Sequence, residues 1–200
     1  MHDYNEIKTP SIGFYKEKGS KFIAYSYPVY SKSEICKKIK ETKKKENSAI
    51  HYCYAYVLNE NKTVQKTNDD GEPSYSAGKP ILGQILSKDL TNILIIVVRY
   101  FGGVKLGISG LIRSYKTAAR IAISKAEIIN KAVKEKYQLS FRYPEMNKVM
   151  KIVKAHNLKI IHTNFKIDCK LICTIEKSKE NEAIQAFKKC YKTSIKKYKI

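Results

Sequence analysis

The residues best suited to chemistry sit in one central stretch. Asp69-Asp70-Gly71-Glu72-Pro73-Ser74 crowds carboxylates into a turn, and Arg99-Tyr100-Phe101-Gly102-Gly103-Val104-Lys105-Leu106-Gly107 follows after an apolar run. Glycines at 102, 103, 107 and 110 let backbone N–H groups point outward where a strand hands over to a helix. A helix N-terminus carries about half a positive charge, so such a corner attracts anions. Arg99 and Lys105 would flank it, Arg113 and Arg120 fall seven apart on one helical face, and Lys79 adds a further cation. Together they are candidates for an anion, phosphate or nucleic-acid cradle. Two other readings stay open. Asp69, Asp70 and Glu72 could themselves be the anion, pairing with Arg99, Lys105 and Arg113 to pin two loops together. They could also supply a base or metal ligand to an enzyme acting on a phosphorylated small molecule.

Smaller constellations add little. Hard carboxylate oxygens suit Mg²⁺, but acidic turns are far commoner than metal sites. His51 and Cys53 share a strand face as a thiolate–imidazole pair would, with no orienting carboxylate to assign, so they read as packing. Cys169 and Cys173 share a face too, without a zinc-like partner pair. Tyr52, Tyr54 and Tyr56 could stack on bases, although alternating aromatics on a strand are usually packing. No catalytic residue, metal ligand or cofactor is assigned.

Charge narrows the class of partner. The 200 residues carry 39 Lys+Arg against 18 Asp+Glu, a net +21, a field that draws polyanions. Much of the lysine could equally be a solvated, solubilising surface, in a chain also rich in Ile, Asn and Tyr. Arginine is scarcer: of Arg99, Arg113, Arg120 and Arg142, three lie in the segment 99–120. A planar guanidinium pairs bidentately where an ammonium acts as a point charge, so geometry matters there. A hydrophobic fraction of 43% predicts a folded chain. The longest apolar run, Ile93–Val98, is too short to cross a bilayer. The opening Met1-His2-Asp3-Tyr4-Asn5-Glu6 has neither a basic n-region nor an apolar h-region, and the five cysteines fit a reducing compartment, so a cytoplasmic protein is expected.

Positioning these groups requires a strand-rich first half. Residues 11–30 alternate around Gly19-Ser20, predicting a β-hairpin. Ser31 with Glu34 forms a capping-box pattern ahead of a helix to about Glu46. Strands are predicted at Ile50–Leu58, Thr63–Thr67 and Ile93–Val98, with a short helix from Ala77 to Leu86 despite Pro80. Leu111, Tyr115, Ala118 and Ala122 recur at helical spacing up to about Lys125. From Lys131 the order is strand, helix, strand, strand, helix, strand: the split βαββαβ motif of ferredoxin-like domains. That half holds 12 of the 21 net charges. The expected fold class is therefore α+β, in two domains covering 1–130 and 131–200.

The motifs carry a resemblance. The Asp69–Ser74 turn, Ala77-Gly78-Lys79-Pro80-Ile81-Leu82-Gly83, the Arg99–Gly107 segment and Gly110-Leu111-Ile112-Arg113-Ser114-Tyr115 look like the signature of the IMPACT family, whose bacterial members include YigZ. His51-Tyr52-Cys53-Tyr54-Ala55-Tyr56 is similar to the family's earlier His-x-Cys-aromatic-Ala strand. Two places depart from the pattern: Tyr75-Ser76 stands where the family usually has Gly-Thr, and Ile108-Ser109-Gly110-Leu111 where it has Ala-Gly-Gly-Leu. The resemblance implies a first domain similar to domain two of ribosomal protein S-five and a second similar to the ferredoxin-like domains of elongation factor G. It also implies a link to translation, because the eukaryotic members regulate translation initiation. On that basis the chain is expected to be a non-catalytic, translation-associated module. Its expected partners are RNA, the ribosome or a translation factor and not a membrane, and it is expected to be a monomer or weak homodimer.

Overall fold

In the computed structural model, which describes residues 2–198, the chain divides into two compact units. One is Tyr4–Lys131, and the other is built from Ala132 onward with the first residues of the chain.

The first unit is organised by β6 (Ile93–Tyr100), the central strand of a five-stranded antiparallel sheet. Its neighbours are β3 (Ser20–Pro28) and β4 (His51–Leu58), flanked by β2 (Ser11–Glu17) and β5 (Val64–Asn68). A central strand with both faces covered has no reason to alternate, and this one does not. Its odd-numbered residues Ile93, Ile95 and Val97 pack with α2 (Gly78–Ser87) and α3 (Gly107–Ser124). The even-numbered Leu94, Ile96 and Val98 face the other way, toward Ile35 of α1 (Lys32–Lys45) and a layer of tyrosines. That layer absorbs Tyr52, Tyr54 and Tyr56 as packing. Ser31 caps α1 by accepting from Glu34 N at 3.2 Å. Glu34 reaches back to Tyr30 N rather than to Ser31 N, one residue beyond the box geometry.

Helix α3 lies unusually close to the sheet. An added Cβ at Gly13 on β2 would sit 2.5 Å from Ala122 N and 2.6 Å from Ala118 O, so only hydrogen fits there. Small residues on the facing side of α3, Ala118, Ala119 and Ala122, are wholly buried. The sequence reading missed a two-stranded sheet of β1 (Asp3–Ile7) and β7 (Ile128–Ala132). It encloses the Glu6 carboxylate, which accepts from Tyr30 Oη and pairs with Lys131.

The second unit has strands β8 (Lys134–Arg142), β9 (Lys159–Asn164), β10 (Asp168–Glu176) and β11 (Thr193–Lys197), with helices α4 (Met146–Ala155) and α5 (Glu180–Lys188). The sheet order β11-β8-β10-β9 is antiparallel throughout, as a split βαββαβ path requires. Tyr137, Leu139 and Phe141 of β8 and Cys169, Leu171 and Cys173 of β10 form its core with Val149, Val153 and Phe187. Cys169 and Cys173 are thus packing residues, and burial pushes the Cys173 thiol up to about 11.

Candidate functional site

The alternation of β6 carries Arg99 onto the α2/α3 face, in one cross-strand row with Phe22 on β3 and His51 on β4. Arg99 is only 6% exposed there, so its charge needs a partner. Glu72 of the acidic loop supplies it: Arg99 Nη1 donates to Oε1 at 2.7 Å, and Tyr115 Oη on α3 donates to the same oxygen at 2.8 Å. The guanidinium also lies 5.6 Å from the ring centroids of both Phe22 and Phe101. Its Nε is buried without a hydrogen-bond partner among the described residues.

Cys53, one row further along the sheet, completes this buried cluster. Its Sγ lies 2.9 Å from the Asp69 carbonyl oxygen and 3.3 Å from Tyr115 Oη. Burial pushes the Cys53 thiol and the Tyr115 phenol well above their ordinary values, so both stay protonated. His51 places Nδ1 2.8 Å from the Asp70 carbonyl oxygen. The carbonyl can only accept, so Nδ1 carries the proton.

The other two carboxylates hold the acidic loop in place. Asp69 Oδ1 accepts from Ala77 N and Gly78 N at 3.0 and 2.8 Å, and Oδ2 accepts from Tyr75 N at 2.9 Å. It therefore caps α2 from outside the helix, whose own N-cap residue, Ala77, has no side chain to do so. Asp70 Oδ2 accepts from Tyr52 N at 2.7 Å. Among the described residues neither carboxylate reaches an arginine; Asp70 Oδ1 lies 3.8 Å from Lys43 Nζ, and of the arginine pairs expected for the loop the one formed is Glu72–Arg99. Among the described residues, no group of three His, Cys, Asp or Glu side chains converges on a metal-sized position.

Above this floor the chain leaves β6 and enters α3. Gly102 is pressed onto the β2–β3 turn, where an added Cβ would meet Gly19 C at 1.9 Å. Gly103 and Gly107 adopt left-handed backbone at φ 86° and 68°, and a Cβ on either would meet nothing within 4 Å. Leu106 caps α3 without a side-chain hydrogen bond, and no acidic residue occupies the first turn. The first N–H groups of this long helix are thus left to solvent. Between this turn and Arg99 lies a cavity of about 340 Å³ lined by His51, Glu72, Pro73, Arg99, Phe101, Lys105, Leu106, Gly107, Ile108 and Leu111.

Of the candidate cations, the cavity gathers Arg99 and Lys105. Arg113 is exposed, donating to Glu17 Oε1 at 2.8 Å, and Arg120 is exposed further along α3. Lys79 stacks at 3.7 Å over the ring of Tyr75. Tyr75 holds φ 67°, a backbone suited to glycine, and neither it nor Ser109 lines the cavity. Sequence reasoning overlooked the apolar walls, Phe101, Ile108 and Leu111, and gave His51 no part in the site. The strand pairing that sets His51 beside Arg99 becomes visible only when the strand order is known.

Comparison with known proteins agrees with the motifs. Residues 18–123 match the Impact N-terminal domain. The chain is 34% identical over 149 residues to the IMPACT family member YvyE of Bacillus subtilis (strain 168), covering 74% of this chain and 69% of that protein. It is 28% identical over 189 residues to an IMPACT family member of Haemophilus influenzae, covering 94% and 90%. A crystal structure described as that of a hypothetical protein superposes with a TM-score of 0.77 at 23% identity, over 100% of this chain and 98% of that one, which establishes the shared fold. The motif order, the family match and these relatives agree: the chain belongs to the IMPACT family.

Proposed function

We propose that the chain is a non-catalytic, translation-associated regulatory module of the cytoplasm that contacts RNA, the ribosome or a translation factor. The observation that carries this reading is the uncapped start of α3, opening beside Lys105 on a chain of net charge +21. Backbone donors, a helix dipole and a flexible cation are what a phosphate backbone recognises. Family membership supports it, since the eukaryotic members regulate translation initiation. In this reading residues 1–130, a domain similar to domain two of ribosomal protein S-five, provide the specific contact. Residues 131–200, similar to the ferredoxin-like domains of elongation factor G, add 12 of the net positive charges. The protein works as a monomer or weak homodimer, without a cofactor.

A second reading, an enzyme acting on a phosphorylated small molecule, is favoured by one feature: Glu72 and His51 line the same cavity as Arg99 and Lys105. It gives Glu72 a catalytic proton to move. Yet that carboxylate is 3% exposed and engaged by two donors.

Ribosome co-sedimentation across a salt series tests the first reading. The comparison is wild type, Lys105→Ala/Arg113→Ala, and an α1 control, Lys37→Ala/Lys40→Ala, that removes the same charge. Binding that survives near-physiological salt and is lost in the first variant alone supports a specific contact. Equal losses in both variants reduce it to generic charge.

A further inference from the structure

We propose that the cavity at the start of α3 receives one nucleotide of single-stranded RNA, with its phosphate at the α3 N-terminus and Lys105 and its base against Phe101. This rests on the RNA-contact reading and names the unit that the site recognises.

Two independent features make the cavity a built anion site. The α3 N-terminus has no side-chain cap and no acidic residue in its first turn. Arg99, 93% removed from solvent at its side chain, lines the same cavity with an Nε that no described residue satisfies. Buried guanidinium donors are rarely left unpaired, so beyond its Glu72 pair Arg99 keeps one donor that a small side-chain shift would offer to an anion. Gly107, open on its Cβ side, lets an anion reach the backbone.

The opposite wall sets the rest of the chemistry. Phe101 is 49% exposed although it directly follows a buried strand, and the Arg99 guanidinium lies 5.6 Å from its ring centroid. An aromatic face held in solvent beside a phosphate-binding corner is a stacking platform for a base. Ile108 and Leu111 extend the apolar wall. With Nδ1–H donating to the Asp70 carbonyl, Nε2 of His51 is the ring nitrogen left to meet an exocyclic base group or a ribose hydroxyl. A volume of about 340 Å³ lies at the small end of ligand pockets. It accommodates a single splayed nucleotide.

The test is a thermal-shift and fluorescence titration of the full chain with AMP and UMP. Parallel arms contain adenosine, inorganic phosphate and a short Asp/Glu peptide. The monophosphates should stabilise the protein more than adenosine or phosphate at the same concentration, and the peptide should have no effect. Phe101→Ala should weaken AMP binding about tenfold while leaving the phosphate response in place. Ile108→Glu should abolish the AMP shift without lowering the melting temperature, because an acid in the first turn favours the helix while repelling a phosphate. Equal shifts by AMP and phosphate, a shift by the peptide, or full AMP binding in Ile108→Glu would each overturn the proposal. Ribosome binding that depends on Lys105 and Arg113 while the mononucleotides cause no shift would sink this inference and leave the broader reading standing. An AMP shift without ribosome or RNA binding would sink both, leaving a mononucleotide pocket that meets no RNA.

Discussion

Arg99 and Glu72, 27 positions apart, form an ion pair with 2.7 Å between Nη1 and Oε1, both side chains nearly out of solvent. The pair ties the C-terminal end of β6 to the acidic loop, so the loop is part of the floor of the site.

Removing one member of a buried pair strands the other. Arg99→Ala should cost about 3–5 kcal/mol in urea unfolding. Glu72→Gln, which keeps an acceptor for Arg99 and Tyr115, should cost less. A loss under about 1 kcal/mol for Arg99→Ala would show that the pair does not hold the loop. It follows that lost partner binding in Arg99→Ala would report unfolding as readily as a lost contact, whereas Lys105 and Ile108 are exposed and can be changed cleanly.

Asp69 spends both carboxylate oxygens on three backbone N–H groups at the start of α2. Asp69→Ala should lower stability by about 2 kcal/mol, with Asp69→Asn in between. Hydrogen exchange at the Ala77 and Gly78 amides should accelerate. Unchanged protection at those two amides would remove Asp69 from the capping role.

Tyr75 occupies a left-handed backbone at φ 67° and is 62% exposed. Relief of about 1–2 kcal/mol of backbone strain in Tyr75→Gly offsets the added chain entropy and the lost Lys79 contact. The melting temperature should therefore hardly change despite deletion of a whole aromatic ring. Tyr75→Val, β-branched at the same φ, should lower it measurably.

Thiol reactivity separates the cysteines. Cys36 is exposed, while Cys53, Cys169, Cys173 and Cys190 are buried. Ellman's reagent at pH 8 should titrate Cys36 rapidly, and the buried thiols only after denaturation. Fast reaction of Cys53 in the native protein would contradict its raised thiol value.

Glu46 accepts from Tyr100 Oη at 2.6 Å and from Tyr25 Oη. Burial raises its carboxyl, but these two phenols together with the nearby Lys45 charge outweigh it and hold the group below its ordinary 4.5. A depressed carboxyl binds fewer protons folded than unfolded, so its stabilisation is present above 4.5 and is lost as pH falls through the folded value. The stability gap between wild type and Glu46→Gln should be widest near neutrality and close in acid. A gap independent of pH would refute the charged acceptor.

Much of the architecture was legible because it is written locally. Alternation around Gly19-Ser20, the Ser31 cap, helical spacing from Leu111 to Ala122 and the βαββαβ order each reflect neighbours within a few residues. The β1–β7 sheet was not legible: Asp3-Tyr4-Asn5-Glu6-Ile7 has no clean period, and its partner strand lies more than a hundred residues away. The site divides along the same line. Arg99, Lys105 and Glu72 could be singled out by residue type. The capping role of Asp69, the meeting of Tyr115 with Glu72 and the place of His51 beside Arg99 depend on strand order and helix docking.

The fit of Gly102 against the β2–β3 turn makes the rim of the cavity a clasp with one fixed post. Residue 102 cannot shift, because its backbone already touches Gly19 and Ser20, while Gly103 and Gly107 stand in open space with the widest choice of dihedral angles. Those two glycines are therefore the rim positions with the fewest steric limits on a change of aperture. Bulky substitution at Gly103, which does not line the cavity, would restrict the rim alone, whereas at Gly107 it would also stand in the anion's path to the backbone.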